Sequence, residues 1–205
     1  MTYSTALASL TLVLFTACST PPVVVQSVSD WGENPMEDPE YMTALNAYMT
    51  PGEAHDEIAR RAGNWNIRTK VVMSPETESI SMDATSNSKM ILGGRFLLEE
   101  FHGSMMGEPF EGLLIVGFDN LKNRYFSMWM DTWGTGLSRA DGVQDSDGSI
   151  QMSGAMTDVL TPNGRPYRHV MRAEGSGFVS ELYDTLPDGT EWMVMEMTYT
   201  RRPAE

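Results

Sequence analysis

The chain is 205 residues long, carries a formal net charge of −14 and contains one cysteine. That length allows one domain plus extensions, and a core of about 150 residues buries roughly 68–70% of its unfolded surface without covalent staples. The acidic balance opposes nucleic acid and anionic lipid surfaces, which recruit Lys and Arg, and a single cysteine excludes an intramolecular disulfide.

Ala6 to Phe15 is an apolar run flanked by small residues. It is too short for a membrane span, which takes about 20 apolar residues, and suits the core of a secretory signal over residues 1–17. The run ends in Leu14-Phe15-Thr16-Ala17-Cys18 and resembles a bacterial lipoprotein signal, in which cleavage precedes a cysteine that is then lipidated. The alternative is an ordinary secretory signal with an incidental Cys18. The expectation is therefore an exported protein, either secreted or held on the periplasmic side of a bacterial membrane through a lipid on Cys18 alone.

Residues 18–50 read as a flexible tether, with Pro21-Pro22 and a polar, acidic run that offers little to bury. Within it, Asp38-Pro39-Glu40 predicts the start of a short helix, with Asp as cap and Pro in the first turn. Tyr41, Leu45 and Tyr48 then share a face at helical spacing. The domain proper is expected over residues 51–205. Thr50-Pro51-Gly52-Glu53 predicts a helix start, with Thr as the cap and Glu completing a capping box. Ala54, Ile58 and Ala62 can face inward while Glu57, Arg60 and Arg61 stay wet, and Gly63 stops the helix.

From Trp65 the period changes to two. Trp65, Ile67, Thr69, Val71 and Met73 share one face, and Asn66, Arg68 and Lys70 the other, the pattern of a half-buried antiparallel strand. Further strands are expected near 80–91, 95–103, 110–118, 124–133, 136–143, 149–156, 166–174, 178–185 and 191–201, with Gly-, Asn- and Asp-rich breaks between them. Short connections predict an all-β, closed up-and-down antiparallel barrel of about ten strands, whose closure removes exposed edges. The short helix would cap its floor. Alternate connections fall at opposite ends. The loops 74–79, 103–109, 157–165 and 186–190, with apolar Met105, Met106, Val159 and Leu160, mark the other end as the mouth.

A helix ending in Gly-x-Trp, with a basic residue closing the last strand, resembles the lipocalin-like (calycin) barrels. By that resemblance Gly63, Trp65 and Arg201 form the floor, with the Trp plugging it and the Arg packed across. Further runs stand in order: Pro51-Gly52-x-x-His55, Ala62-Gly63-x-Trp65, Met90-Ile91-Leu92-Gly93-Gly94-Arg95-Phe96-Leu97, Gly107-x-Pro109-Phe110-Glu111-Gly112 and Glu196-Met197-Thr198-Tyr199-Thr200-Arg201. Together they resemble a bacterial family catalogued as domain of unknown function 1579, over about Pro51 to Arg202. The resemblance implies a lipocalin-like barrel and no established activity. His169 departs from it, standing where an acidic or polar residue is expected.

Chemical motifs are sparse. There is no Gly-x-Ser-x-Gly elbow, and the histidines His55, His102 and His169 lack metal spacing, so neither nucleophilic catalysis nor a metal is expected. No phosphate-cradling loop precedes a helix, and no cofactor is expected. The carboxylates carry more. Asp131 lies between Trp129 and Trp133 on one face, Glu181 between Val179 and Tyr183, and Glu196 shares a face with Val194 and Thr198. A carboxylate among apolar neighbours must be paired or neutral, and Arg95, Arg168 and Arg172 are possible partners. Trp129, Asp131, His169, Glu181, Glu196 and Arg95 form the candidate ligand-binding set. The opposite reading puts these faces in solvent, with ion pairs as surface trim. Met193, Met195 and Met197 on one alternating face suit an adaptable apolar lining or plain core filling.

Three functions are compatible with this sequence. The first is binding of a small apolar or amphipathic ligand inside the barrel, with no nucleic-acid partner. The second is acid–base isomerisation or hydrolysis by Glu181, Glu196 or Asp131. The third is a structural envelope lipoprotein with a packed interior.

Overall fold

In a computed structural model, residues 34–74, 77–186 and 188–203 are described. The signal segment and Cys18 lie outside the described residues. The chain divides into two units between Met42 and Thr43. In the first, Asn34 accepts from the Met36 amide at 3.2 Å and caps a 3₁₀ turn, Pro35–Glu37. Asp38 Oδ1 then accepts from the Glu40 amide at 2.8 Å, starting α1 (Pro39–Met49). No residue of α1 is buried. Within the second unit its last turn is held by polar contacts. Asn120 donates to the carbonyls of Ala47, Tyr48 and Thr50, and Arg95 to that of Met49.

The next helix, α2 (Glu53–Ala59), begins two residues later than a Thr50 cap implies. Thr50 Oγ1 donates back to the Asn46 carbonyl at 2.6 Å, so it closes α1 instead of opening α2. Gly52 takes the cap position, and its amide donates to His55 Nδ1 at 3.1 Å. Ile58, on the inner face of α2, is fully buried against Leu97 and Val116.

The alternation from Gly63 onward becomes ten strands: β1 (Gly63–Val71), β2 (Ile80–Ile91), β3 (Phe96–Met105), β4 (Glu108–Asp119), β5 (Arg124–Asp131), β6 (Ser138–Gln144), β7 (Ile150–Met156), β8 (Arg165–Glu174), β9 (Gly177–Thr185) and β10 (Glu191–Arg201). Each pairs antiparallel with its sequence neighbour, and β1 pairs with β10, so the sheet is a closed up-and-down barrel. No strand among them has a free edge for another chain to extend. Tight connections are bought locally by left-handed backbone: Met106 (φ 55°) and Gly107 (φ 88°) form the two-residue turn between β3 and β4.

Register fixes the inner face. Trp65, Ile67 and Thr69 of β1 are buried and stand opposite Ser86, Ala84 and Met82 of β2 and Arg201, Tyr199 and Met197 of β10. Around the barrel the same face carries Glu99, Phe101, Val116, Trp129, Met152, His169 and Leu182. One strand does not keep parity throughout. The register of β10 slips between Met193 and Met195, so Met193 pairs with outward-facing Tyr183 while Met195 pairs with inward-facing Leu182. A bulge absorbs one residue, and the three methionines do not share a face.

Candidate functional site

The floor end is closed by Trp65, 1% exposed, whose indole Nε1 donates to the Arg61 carbonyl at 2.9 Å. Phe178 meets it edge-on at 5.0 Å. Arg201 lies across the indole, its Cζ 4.3 Å from the ring centroid, and its guanidinium donates to the carbonyls of Ala62 and Arg60 at 2.9 and 3.3 Å. Those carbonyls end the helical segment and have no intrahelical partner. Gly63 permits the approach. Its φ is +144°, and a Cβ there would stand 2.2 Å from Arg201 Nη1.

Above the floor the interior is lined by side chains that face inward yet remain only half-buried: Leu114, Trp129, Met156, Leu182, Met195 and Met197. In a closed barrel an inward side chain can reach solvent only through the interior. These residues line the interior, or lumen, of the barrel, where Leu114, Met156 and Leu182 pack against one buried cluster and Trp129 and Met197 against the other. At the mouth Phe101, Phe110, Trp129 and Trp133 form an aromatic group. Phe110 and Trp129 are stacked at 6.3 Å, Phe101 meets both edge-on, and Trp133 meets Phe110 edge-on. Gly112 makes room for it, since a Cβ there would stand 2.2 Å from Trp129 Cη2. Met73, Met106, Val159 and Leu160 are exposed on the mouth loops, at 70% or more.

The sequence-selected residues divide between the two faces. Trp129 and Asp131 face inward, and the indole Nε1 donates to Asp131 Oδ2 at 2.7 Å. His169 also faces inward, 8% exposed, with Nε2 2.7 Å from Ser180 Oγ. Burial, and then the charge of Arg61, pull its pKa down to about 4, so the ring is neutral at physiological pH. Glu181 and Glu196 face outward, which corrects their placement as lumen groups. Glu181 accepts from Arg172 and from the Tyr183 hydroxyl, and Glu196 from Lys70 at 2.9 Å. Outward pairing is the cheaper arrangement for a carboxylate, since it keeps its hydration. Arg95 is likewise outside the lumen, in the β2–β3 turn, where it donates to the Leu92 and Met49 carbonyls. Trp129, Asp131 and His169 thus share the lumen, and Glu181, Glu196 and Arg95 do not.

The residue that sequence reasoning missed is Glu99. It faces inward from β3 between Leu97 and Phe101, is 3% exposed, and stands in register with Ser88 and Leu114. Burial pushes its carboxyl pKa up, against a smaller downward pull from the Ser86 and Tyr199 hydroxyls near it. Its Oε1 has no hydrogen-bond partner within the protein, and neither do the buried hydroxyls of Ser86, Ser88 and Thr69. A signal was present: Leu97-x-Glu99-x-Phe101 is the same apolar–carboxyl–apolar alternation that marked Asp131. Nearer the mouth, Asp184 is buried and paired with Arg165 at 2.7 Å, which also pairs with Asp158. Among the described residues, no group of three or more His, Cys, Asp or Glu can hold a metal ion.

The model of a family described as Protein of unknown function (DUF1579) matches residues 50–201. That span runs from Thr50, three residues before α2, to the last residue of β10, and the chain belongs to this family. No curated protein matches it.

Proposed function

We propose that this DUF1579 member is an exported binding protein that takes a small apolar or amphipathic molecule into the lumen of its barrel. The observation that carries the reading is the half-buried state of Leu114, Met156, Leu182, Met195 and Met197, which face inward in a sheet with no free edge. Here they offer an apolar wall of flexible thioethers, which adapt to an irregular guest. The exposed apolar rim at the mouth supports entry from that end. In this reading residues 1–17 direct export, and a lipid on Cys18 is the sole link to a membrane.

The acid–base alternative loses Glu181 and Glu196 to outer-wall ion pairs, and its remaining carboxylate, Asp131, is engaged by the Trp129 indole and the Trp133 amide. Native mass spectrometry of protein purified from its own host tests the proposal, together with fluorescence titration by the neutral apolar probe N-phenyl-1-naphthylamine. A copurifying small molecule or saturable probe uptake supports binding. A barrel consistently empty and inert to the probe would leave the structural-lipoprotein reading instead. Fractionating cells that carry Cys18→Ser tests the anchor: unchanged membrane association in the variant would remove it.

A further inference from the structure

The deepest inward carboxyl of the lumen has no counter-charge. Among the described residues no Lys or Arg pairs with Glu99, whereas the outer-wall Glu181 and Glu196 each have a cation. The groups that act on its titration are its own burial and the hydroxyls of Ser86 and Tyr199, and no cation is among them. Around it stand hydroxyls with unmet hydrogen-bonding capacity, those of Ser86 and Ser88, on the neighbouring strand. Three aromatic residues adjoin the same spot: Phe101 follows Glu99 on the inner face of β3, Trp65 pairs in register with Ser86, and Tyr199 faces Glu99 from β10. A lone carboxyl, hydroxyl acceptors and aromatic rings together complement a cation that can donate several hydrogen bonds. Farther out, Asp131 adds a second inward carboxyl with no Lys or Arg paired to it among the described residues. The net charge of −14 favours the approach of a cation over that of an anion.

We infer that the ligand is an amphipathic amine whose protonated amino group enters first and is held by Glu99 with Ser86 and Ser88. Its apolar body then lies along Leu114, Met195 and Met197 toward the mouth. The inference rests on the lumen-binding reading and deepens it. The proton balance is simple. Burial favours the neutral form of Glu99 and a docked ammonium group favours the carboxylate, so amine binding shifts Glu99 toward its ionised form, passes the displaced proton to solvent and leaves a neutral ion pair. An alcohol of the same length releases none. A carboxylate brings a second negative charge beside Glu99 and is disfavoured.

The test uses the mature chain and three probes of equal length, dodecylamine, dodecanol and dodecanoate, below their critical micelle concentrations and near neutral pH. Each is titrated by displacement of N-phenyl-1-naphthylamine. The amine and the alcohol are also titrated calorimetrically in two buffers of different ionisation enthalpy. The wild type is expected to bind the amine about tenfold more tightly than the alcohol, with the carboxylate weakest, since a charge-assisted bond exceeds a neutral one by about that factor. Proton release should accompany the amine alone. Glu99→Gln should remove the amine preference and the proton release while dodecanol stays within about twofold. Should Glu99→Gln melt early, Ser88→Ala leaves the carboxyl in place and should weaken the amine severalfold. Uptake of dodecanol with no amine preference, or a preference that survives Glu99→Gln, overturns this inference and leaves the lumen standing. Uptake of none of the three overturns both.

Discussion

Trp65 and Glu99 both face inward and are both buried, at 1% and 3% exposure, but their polar atoms fare differently. The Trp65 indole N–H meets the Arg61 carbonyl, and the cation above it hands its own donors to the carbonyls of Ala62 and Arg60. Glu99 keeps an unpartnered oxygen beside unpartnered serines. A buried polar group costs about 1–3 kcal/mol when it is left unmet. At the floor the carbonyls that end the helical segment are met and only the Arg61 Nε is left over, whereas the deep lumen leaves a carboxyl oxygen and two serine hydroxyls unmet. Under the proposed function, stability belongs to the first region and recognition to the second.

The largest expected effect lies at the floor. Trp65→Ala should cost about 3–5 kcal/mol, through the cavity left beneath Arg201 and the lost contacts with Phe178 and Tyr199. Urea unfolding monitored by far-UV circular dichroism measures it. A loss below about 0.5 kcal/mol would mean that the floor is not the stabilising end, since that is the range of surface substitutions.

The second effect sets two of the buried titratable groups, His169 and Glu99, apart by sign. His169 titrates at about 4 when folded and has an ordinary value of 6.5, so its neutral ring contributes fully above about pH 6.5. That contribution is lost as pH falls toward about 4, and its full size is about 3 kcal/mol. Glu99 runs the other way. Its pKa is raised, so its contribution is present below the ordinary carboxylate value and is lost as pH rises through the raised one. Thermal melts of wild type, His169→Gln and Glu99→Gln across pH 4–8 separate them. The first variant should flatten the acid limb and the second the alkaline limb, and an unchanged acid limb in His169→Gln would place the acid sensitivity elsewhere.

How much of this was legible in the sequence follows from the same residues. The barrel was, because strict alternation from Trp65 to Val71 and glycine-rich breaks after it specify strands and turns almost without tertiary help, though Met73, expected on the same face, lies beyond β1 and is exposed; β2 and β10 span the expected residues, Ile80–Ile91 and Glu191–Arg201. The start of α2 was not, because a glycine cap completed by a histidine ring competes with the commoner Thr–Glu pattern. Face assignment was legible only in part. Val179 is buried at 2% exposure on the outer wall, opposite Arg172, so Val179-x-Glu181-x-Tyr183 imitates an inner face. Alternation gives the faces of a strand but not which of them points inward. The β10 bulge is invisible to parity altogether, and it took Met193 off the face of Met195 and Met197.

A third effect sharpens the floor's side of the comparison. Arg201→Met keeps most of the stem packed on the indole and removes the charge, so it should cost less than Trp65→Ala. A double-mutant cycle of the two isolates their coupling, expected at about 0.5–2 kcal/mol from a cation over an indole. Raising the salt concentration should change it little, because the contact is short. Coupling near zero would assign the role of Arg201 to the carbonyls of Ala62 and Arg60 alone.

The smallest effect on stability is expected at the mouth, and it tests the other half of the comparison. Met106 is 89% exposed and sits at φ 55° in the β3–β4 turn. Asp tolerates that left-handed conformation better than Met, so Met106→Asp should leave stability within about 0.5 kcal/mol or raise it slightly. Leu121→Asp is the matched control. Leu121 is 71% exposed, in the β4–β5 turn at the floor end, and its replacement makes the same exchange of an exposed apolar group for a carboxylate. Both variants should melt like the wild type. They should part only in ligand uptake, and the probe must be neutral, because an added carboxylate at the mouth attracts an amine and would mask the loss of apolar contact. With dodecanol, Met106→Asp should weaken uptake severalfold while Leu121→Asp leaves it unchanged, since only the mouth loop lies on the path to Leu114 and Met195. The reverse order would place entry at the helix-capped end and exchange the roles of floor and mouth.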